Sequence, residues 1–191
     1  MNRKSQKIRV FFGIALPDGI RGWINGAAMV PLSRLPARVR WVQPSNIHLT
    51  VRFLGEIDYD TLSDVIENTG RATSNIPSMK FQLKEIATFG RKTPRVIWVG
   101  VSGDIEELTK LHDKIEIVCR EAGLPADDKR YFPHITIGRV KSPAHTGQLM
   151  SAIKKIDVKP LDFTAKELIL FKSVLTPKGS IYDVVEKFIL K

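Results

Sequence analysis

Two hydrophobic rhythms alternate along this chain, and the points where one gives way to the other mark out its elements. Alternating or unbroken apolar runs predict strands over 8–16, 47–54, 80–88, 95–101, 133–140, 161–170 and 181–188, with a short one at Trp41-Val42. Between them, apolar residues recurring every three or four positions predict helices over 18–29, 60–72, 104–122 and 146–156, the first despite its glycines. The polar stretches 90–94 and 127–130 read as exposed loops.

The order strand, helix, motif strand, helix, strand occurs twice. Gly13 and Gly100 stand 87 positions apart, each in a strand running into a helix start. The tetrapeptides His48-Leu49-Thr50-Val51 and His134-Ile135-Thr136-Ile137 follow 86 apart, and Phe81-Gln82-Leu83-Lys84-Glu85-Ile86 matches Phe163-Thr164-Ala165-Lys166-Glu167-Leu168 at 82. A nearly constant offset over three landmarks predicts duplication of one structural unit. The expected product is an α+β fold, bilobal and pseudo-twofold, with two antiparallel sheets facing a central groove and helices outside. Residues 1–191 then form a single domain, with halves of roughly 8–93 and 94–180.

Side chains two apart on a strand share a face, so His48 sits with Thr50 and His134 with Thr136 while the intervening apolar residues face the core. Only four histidines occur in the chain. Two imidazoles that titrate near neutrality and two hydroxyl donors in one cleft supply the acid, base and oxyanion ligands for cleaving a phosphodiester without metal. By the same alternation Arg52 shares the face of His48 and Thr50. Arg139, five residues after His134, and Arg130, four before it, offer guanidinium forks for phosphate. Tyr131, Phe132 and Trp41 offer faces on which a base can stack, against the plainer reading of strand-flanking aromatics as core.

Charge sharpens this picture. A formal +10 over 191 residues makes polyanions, nucleic acid first, the favoured partners. The single cysteine, Cys119, excludes an internal disulfide, and its helical stripe with Leu108, Leu111 and Ile115 predicts burial. Neither His112, on that helix, nor His145, in the 141–147 loop, has metal-ligand spacing. No Gly-x-x-x-x-Gly-Lys loop supports an ATP-driven reaction, so no cofactor and no metal are expected. Pro17-Asp18 ends the apolar run after the basic Arg3-Lys4, which reads as a core strand rather than a signal peptide. No run has the length of a membrane span, and the expected location is the cytoplasm.

The runs 46–56 and 132–140 resemble the two His-x-Thr-x motifs of the two-histidine phosphoesterase superfamily. Within it the chain is most similar to the RNA 2′,3′-cyclic phosphodiesterases of bacteria and archaea, historically called 2′-5′ RNA ligases. The segments 9–17, 94–101 and 175–182 agree with that pattern too. The resemblance implies the same architecture and hydrolysis of RNA 2′,3′-cyclic phosphate ends to 2′-phosphate ends. It also implies that His48 is the proton donor and His134 the acceptor, a choice that the near-equivalence of the repeats leaves open, with Thr50, Thr136 and Arg139 on the phosphate. The implied partner is RNA carrying a cyclic phosphate or a 2′-5′ linkage, with reversible 2′-5′ RNA ligation as a second activity; the chain itself gives no reason to expect an obligate protein partner, and a monomer is expected. From the residues themselves two other readings stand beside it: a basic RNA-binding module that only grips phosphate, and a cyclic phosphodiesterase for a small nucleotide.

Overall fold

Among the described residues nine strands form the sheet: β1 (Lys7–Ala15), β2 (Val39–Trp41), β3 (His48–Asp58), β4 (Met79–Phe89), β5 (Val96–Gly103), β6 (His134–Val140), β7 (Asp162–Ala165), β8 (Glu167–Thr176) and β9 (Gly179–Ile189). The helices are α1 (Asp18–Trp23), α2 (Val30–Ser33), α3 (Tyr59–Thr73), α4 (Ile105–Glu121) and α5 (Thr146–Ile153). This computed structural model describes residues 6–90, 93–127, 129–177 and 179–191. Residues 91, 92 and 128 of the two predicted polar loops lie outside the described residues.

The predicted helix over 18–29 is interrupted. A π-helical turn over Ile24–Met29 joins α1 to α2, with the Val30 N–H reaching back to the Asn25 carbonyl. Pro31 follows inside the next turn; it has no N–H to return to the carbonyl four residues earlier, and a wider turn relieves that mismatch. The strand predicted over 161–170 is likewise split at Lys166 into β7 and β8.

The antiparallel order is β7-β4-β5-β6-β3-β1-β8-β9, with β2 paired to β6. The repeat is legible in it. β3-β1-β8 matches β6-β5-β4, so the last strand of each repeat pairs with the first strand of the other. The two expected sheets are present as two halves that meet at one register pair, Leu49↔Ile135, which makes the strand path continuous between the motif strands. Helix α4 packs on β3 and β4, and α3 packs on α4, β3 and β9.

Leu49, Val51, Ile135 and Ile137 are all buried in the core. Each such side chain contributes about 1.5–3 kcal/mol by burial, so slipping either motif strand by one residue exposes two of them at a cost of about 3–6 kcal/mol. That holds His48, Thr50, His134 and Thr136 on the opposite face.

Both motif strands also carry a bulge at the equivalent place. The β1 to β3 register passes from Gly13↔Thr50 to Phe12↔Arg52, skipping Val51. The β5 to β6 register passes from Trp98↔Thr136 to Ile97↔Gly138, skipping Ile137. Each bulge inserts one residue and reverses the face pattern beyond it.

Candidate active site

His48 stands at the start of β3, where its Nδ1 donates to the carbonyl of Asn46 at 2.7 Å. The Asn46 amide in turn donates to the Ser180 carbonyl of β9, holding this entry turn in place. His134, at the start of β6, repeats the arrangement by donating from Nδ1 to the Phe132 carbonyl at 2.8 Å. A carbonyl only accepts, so both neutral rings carry their proton on Nδ1 and keep the Nε2 lone pair for chemistry. Thr50 Oγ1 lies 2.9 Å from His48 Nε2, and its hydroxyl donates to that lone pair in the neutral ring.

Aromatic walls enclose both imidazoles. Phe11, Tyr182 and Phe171 approach His48 with ring centroids at 4.8, 5.4 and 6.2 Å. Phe89, Phe132 and Trp98 approach His134 at 4.9, 6.2 and 6.3 Å. Phe11 and Trp98 are repeat mates 87 apart, and Phe89 and Phe171 are mates 82 apart, so strand exchange builds each wall from both repeats. Burial holds the His48 pKa below 6.5, the facing His134 lowers it further, and the Asn46 carbonyl opposes both. Burial likewise lowers His134, with Arg139 adding to the effect and the Phe132 carbonyl opposing it.

One groove is lined by Thr50, His134, Thr136 and Arg139, with Phe53 and Phe89 beside them. Strict alternation from His134 puts Arg139 on the core face. The bulge at Ile137 turns it back onto the groove face, where its guanidinium serves phosphate.

The same device overturns the shared face expected for Arg52. The bulge at Val51 takes it out of phase with His48 and Thr50, and although the residue borders the groove, its buried guanidinium is bonded elsewhere. Nε pairs with Glu116 of α4 at 2.6 Å, one terminal nitrogen donates to the Pro125 carbonyl at 2.7 Å, and the other donates to the Phe53 carbonyl. Arg52 ties β3 to α4 and to the segment after it.

The remaining candidates are dispersed. Arg130 is exposed and borders a neighbouring depression with His112, Trp98 and Glu85, which shares Asp127 and Lys129 with the groove of Thr50 and Thr136. Tyr131 lies flat on His112 at 4.2 Å and 7°, and its hydroxyl donates to the Thr50 carbonyl at 3.0 Å, so one ring face is already covered. Burial pushes its phenol pKa up. Trp41 is half-buried against Gly138, where a Cβ would come within 3.0 Å of the indole. Phe132 meets Phe89 and Trp98 edge-on and remains half exposed beside His134, the one stacking candidate with open surface next to a motif histidine. Cys119 is buried and its thiol is pushed up to about 11 by burial. Among the described residues no three His, Cys, Asp or Glu side chains cluster as a metal site, and no helix is long and apolar enough to cross a membrane.

Phe53 and Phe89 are among the groove residues that the sequence candidates omit. Phe53 lies 86 positions before Arg139, shares its place after the bulge and is 52 % exposed. The repeat offset was the signal that marked it. The symmetric groove therefore has an aromatic on one side where it has a guanidinium on the other.

Known proteins match this chain over most of its length. A Thermotoga maritima protein named RNA 2′,3′-cyclic phosphodiesterase is 36% identical over 146 residues, 76% of each chain. One of the same name from Methanocaldococcus jannaschii is 33% identical over 183 residues, 95% of this chain and 100% of the relative. Among solved structures, a Thermus thermophilus protein superposes with a TM-score of 0.78 at 27% identity, covering 96% of this chain and 98% of that one. Escherichia coli LigT complexed with 3′-AMP shares the fold with a TM-score of 0.77 at 22% identity, covering 97% and 99%. The family model of the 2′-5′ RNA ligase superfamily matches residues 17–176, and the chain belongs to that superfamily.

Proposed function

We propose that this protein hydrolyses RNA 2′,3′-cyclic phosphate ends to 2′-phosphate ends by acid and base catalysis from its two motif histidines. The observation that carries the reading is the matched pair: two imidazoles, each fixed through Nδ1 to the carbonyl two residues earlier, so that Nε2 is the atom that exchanges a proton, with the Thr50 hydroxyl beside that of His48. The relatives' name, RNA 2′,3′-cyclic phosphodiesterase, supports the substrate.

In this reading water attacks phosphorus, and its proton passes to Nε2 of His134. The bond from phosphorus to the sugar O3′ breaks, and O3′ takes a proton from Nε2 of charged His48. Thr50, Thr136 and Arg139 hold the non-bridging oxygens, where negative charge gathers. His48 has its pKa lowered in the free protein, so the bound phosphate anion supplies the opposite charge that keeps it protonated. Every proton moves through an imidazole, and no metal enters the scheme. With a 5′-hydroxyl in place of water the same pair joins the cyclic end to it in a 2′-5′ linkage, O3′ leaving as before; microscopic reversibility lets the pair cleave that linkage again.

The test incubates wild type, His48→Ala and His134→Ala, each with EDTA, with a short RNA ending in a 2′,3′-cyclic phosphate. Wild type yields 2′-phosphate ends, and each variant loses about 10²–10⁴ in turnover. Persistent cyclic ends with wild type and undiminished RNA binding refute the enzyme reading in favour of a phosphate-gripping module.

A further inference from the structure

A second cleft, of ≈ 400 Å³, opens beside the reaction groove and shares Phe53, Gly55 and Arg139 with it. Arg9, Arg40, Arg139 and Lys141 line it, all exposed, and no described lining residue is acidic. None of the four is in an ion pair among the described residues. Glu56 stands opposite Arg9 in the β1 to β3 register without pairing to it.

Two of these cations are placed against electrostatic preference. Arg40 of β2 is directly opposite Arg139 of β6 in the ladder, a position where like charges oppose one another. An anion between them removes that repulsion. Aromatic surface completes the cleft: Trp41 and Phe53 line it, as does Tyr182, whose ring also stands edge-on to His48. Cations interleaved with aromatics are what a single nucleic acid strand requires, charge for its phosphates and faces for its bases. The other flank differs. The depression beyond Phe132, on the His134 side, mixes Glu85, Asp113, Glu116 and Asp127 with Lys84, Lys129 and Arg130.

We infer that this cleft holds the RNA strand leading to the cyclic end, with upstream phosphates on Arg9, Arg40 and Lys141 and bases against Trp41 and Phe53. The inference rests on the cyclic phosphodiesterase reading and deepens it, because it makes an oligonucleotide, rather than a mononucleotide, the preferred substrate. The strand favours this side, where no described lining residue is acidic, over the opposite flank, where acidic and basic side chains are mixed.

The experiment compares kcat/KM for a tetranucleotide ending in a 2′,3′-cyclic phosphate with that for a mononucleoside 2′,3′-cyclic phosphate, across a salt series. Wild type favours the tetranucleotide by at least about tenfold at low salt, and the preference shrinks as salt rises. Arg9→Gln combined with Arg40→Gln lowers the ratio of the two about tenfold and makes the salt dependence of tetranucleotide binding shallower by about 1.4, or about 0.7 for each cation removed. Lys154→Gln combined with Lys155→Gln, an equal charge change after α5, leaves the ratio in place. A wild-type ratio near one, a ratio insensitive to Arg9 and Arg40, or an equal fall in the lysine control overturns the assignment. If neither compound turns over, the enzyme reading fails separately, and binding of a tetranucleotide with a 2′-phosphate end decides the cleft. Salt-sensitive binding weakened by the arginine pair alone upholds it; binding indifferent to that pair overturns it.

Discussion

Replacing Arg52 with methionine separates a structural tie from a groove residue. Methionine keeps the apolar stem and removes the guanidinium, which is 8 % exposed and bonded to Glu116, Pro125 and Phe53. Removing one partner of a buried ion pair costs about 3–5 kcal/mol, because the other charge stays behind. Glu116 is 18 % exposed and still accepts the Asp127 N–H at 3.1 Å, which places the loss near the lower end, about 3 kcal/mol. For a chain of this size that corresponds to a fall in Tm of about 6–12 °C. Urea and thermal unfolding measure it, with turnover of a cyclic phosphate end measured at a temperature where the variant remains folded. A double variant, Arg52→Met with Glu116→Gln, recovers part of the loss, because no uncompensated carboxylate remains. A Tm within about 2 °C of wild type together with a hundredfold fall in turnover refutes the reasoning and returns Arg52 to the phosphate.

Gly13→Ala tests how tightly the groove is packed: the new Cβ would lie 3.2 Å from His48 Cδ2 and 3.2 Å from the Leu49 carbonyl, so the ring must yield by a few tenths of an ångström. Turnover falls about three- to tenfold, and wild-type turnover refutes the close approach. The pH profile follows from two lowered pKa values. Both histidines lose their protons below 6.5 in the free protein, whereas the reaction needs His48 charged and His134 neutral. Above 6.5 the competent form dwindles, so kcat/KM falls about tenfold per pH unit from there; a plateau between pH 7 and 8 contradicts it.

Particular residues show how far local pattern reaches. His48 with Thr50 and His134 with Thr136 were readable from period-two alternation, because the buried residues between them hold the strand phase. Arg52 and Arg139 were not, because each lies beyond a bulge, and a bulge is set by how two strands meet rather than by either strand's own sequence. Alternation gave Arg52 the face of His48 and Thr50 and put Arg139 on the core face, and the two bulges change both. Tyr131 read as a stacking face or as core, and a contact with His112, which lies on a distant helix, covers one side of it.

By itself the sequence determined the repeat, the strand and helix order, the shared faces of the two His-x-Thr motifs and the basic balance, all of which depend on side chains close in the chain or on composition. Only the tertiary structure decided that the repeats exchange their last strands, that Phe11 with Phe171 and Trp98 with Phe89 wall the two imidazoles, and that Arg40 faces Arg139. Those pairings join residues tens of positions apart, and they are selected by burying the apolar faces of the whole sheet together, a condition that no local window contains.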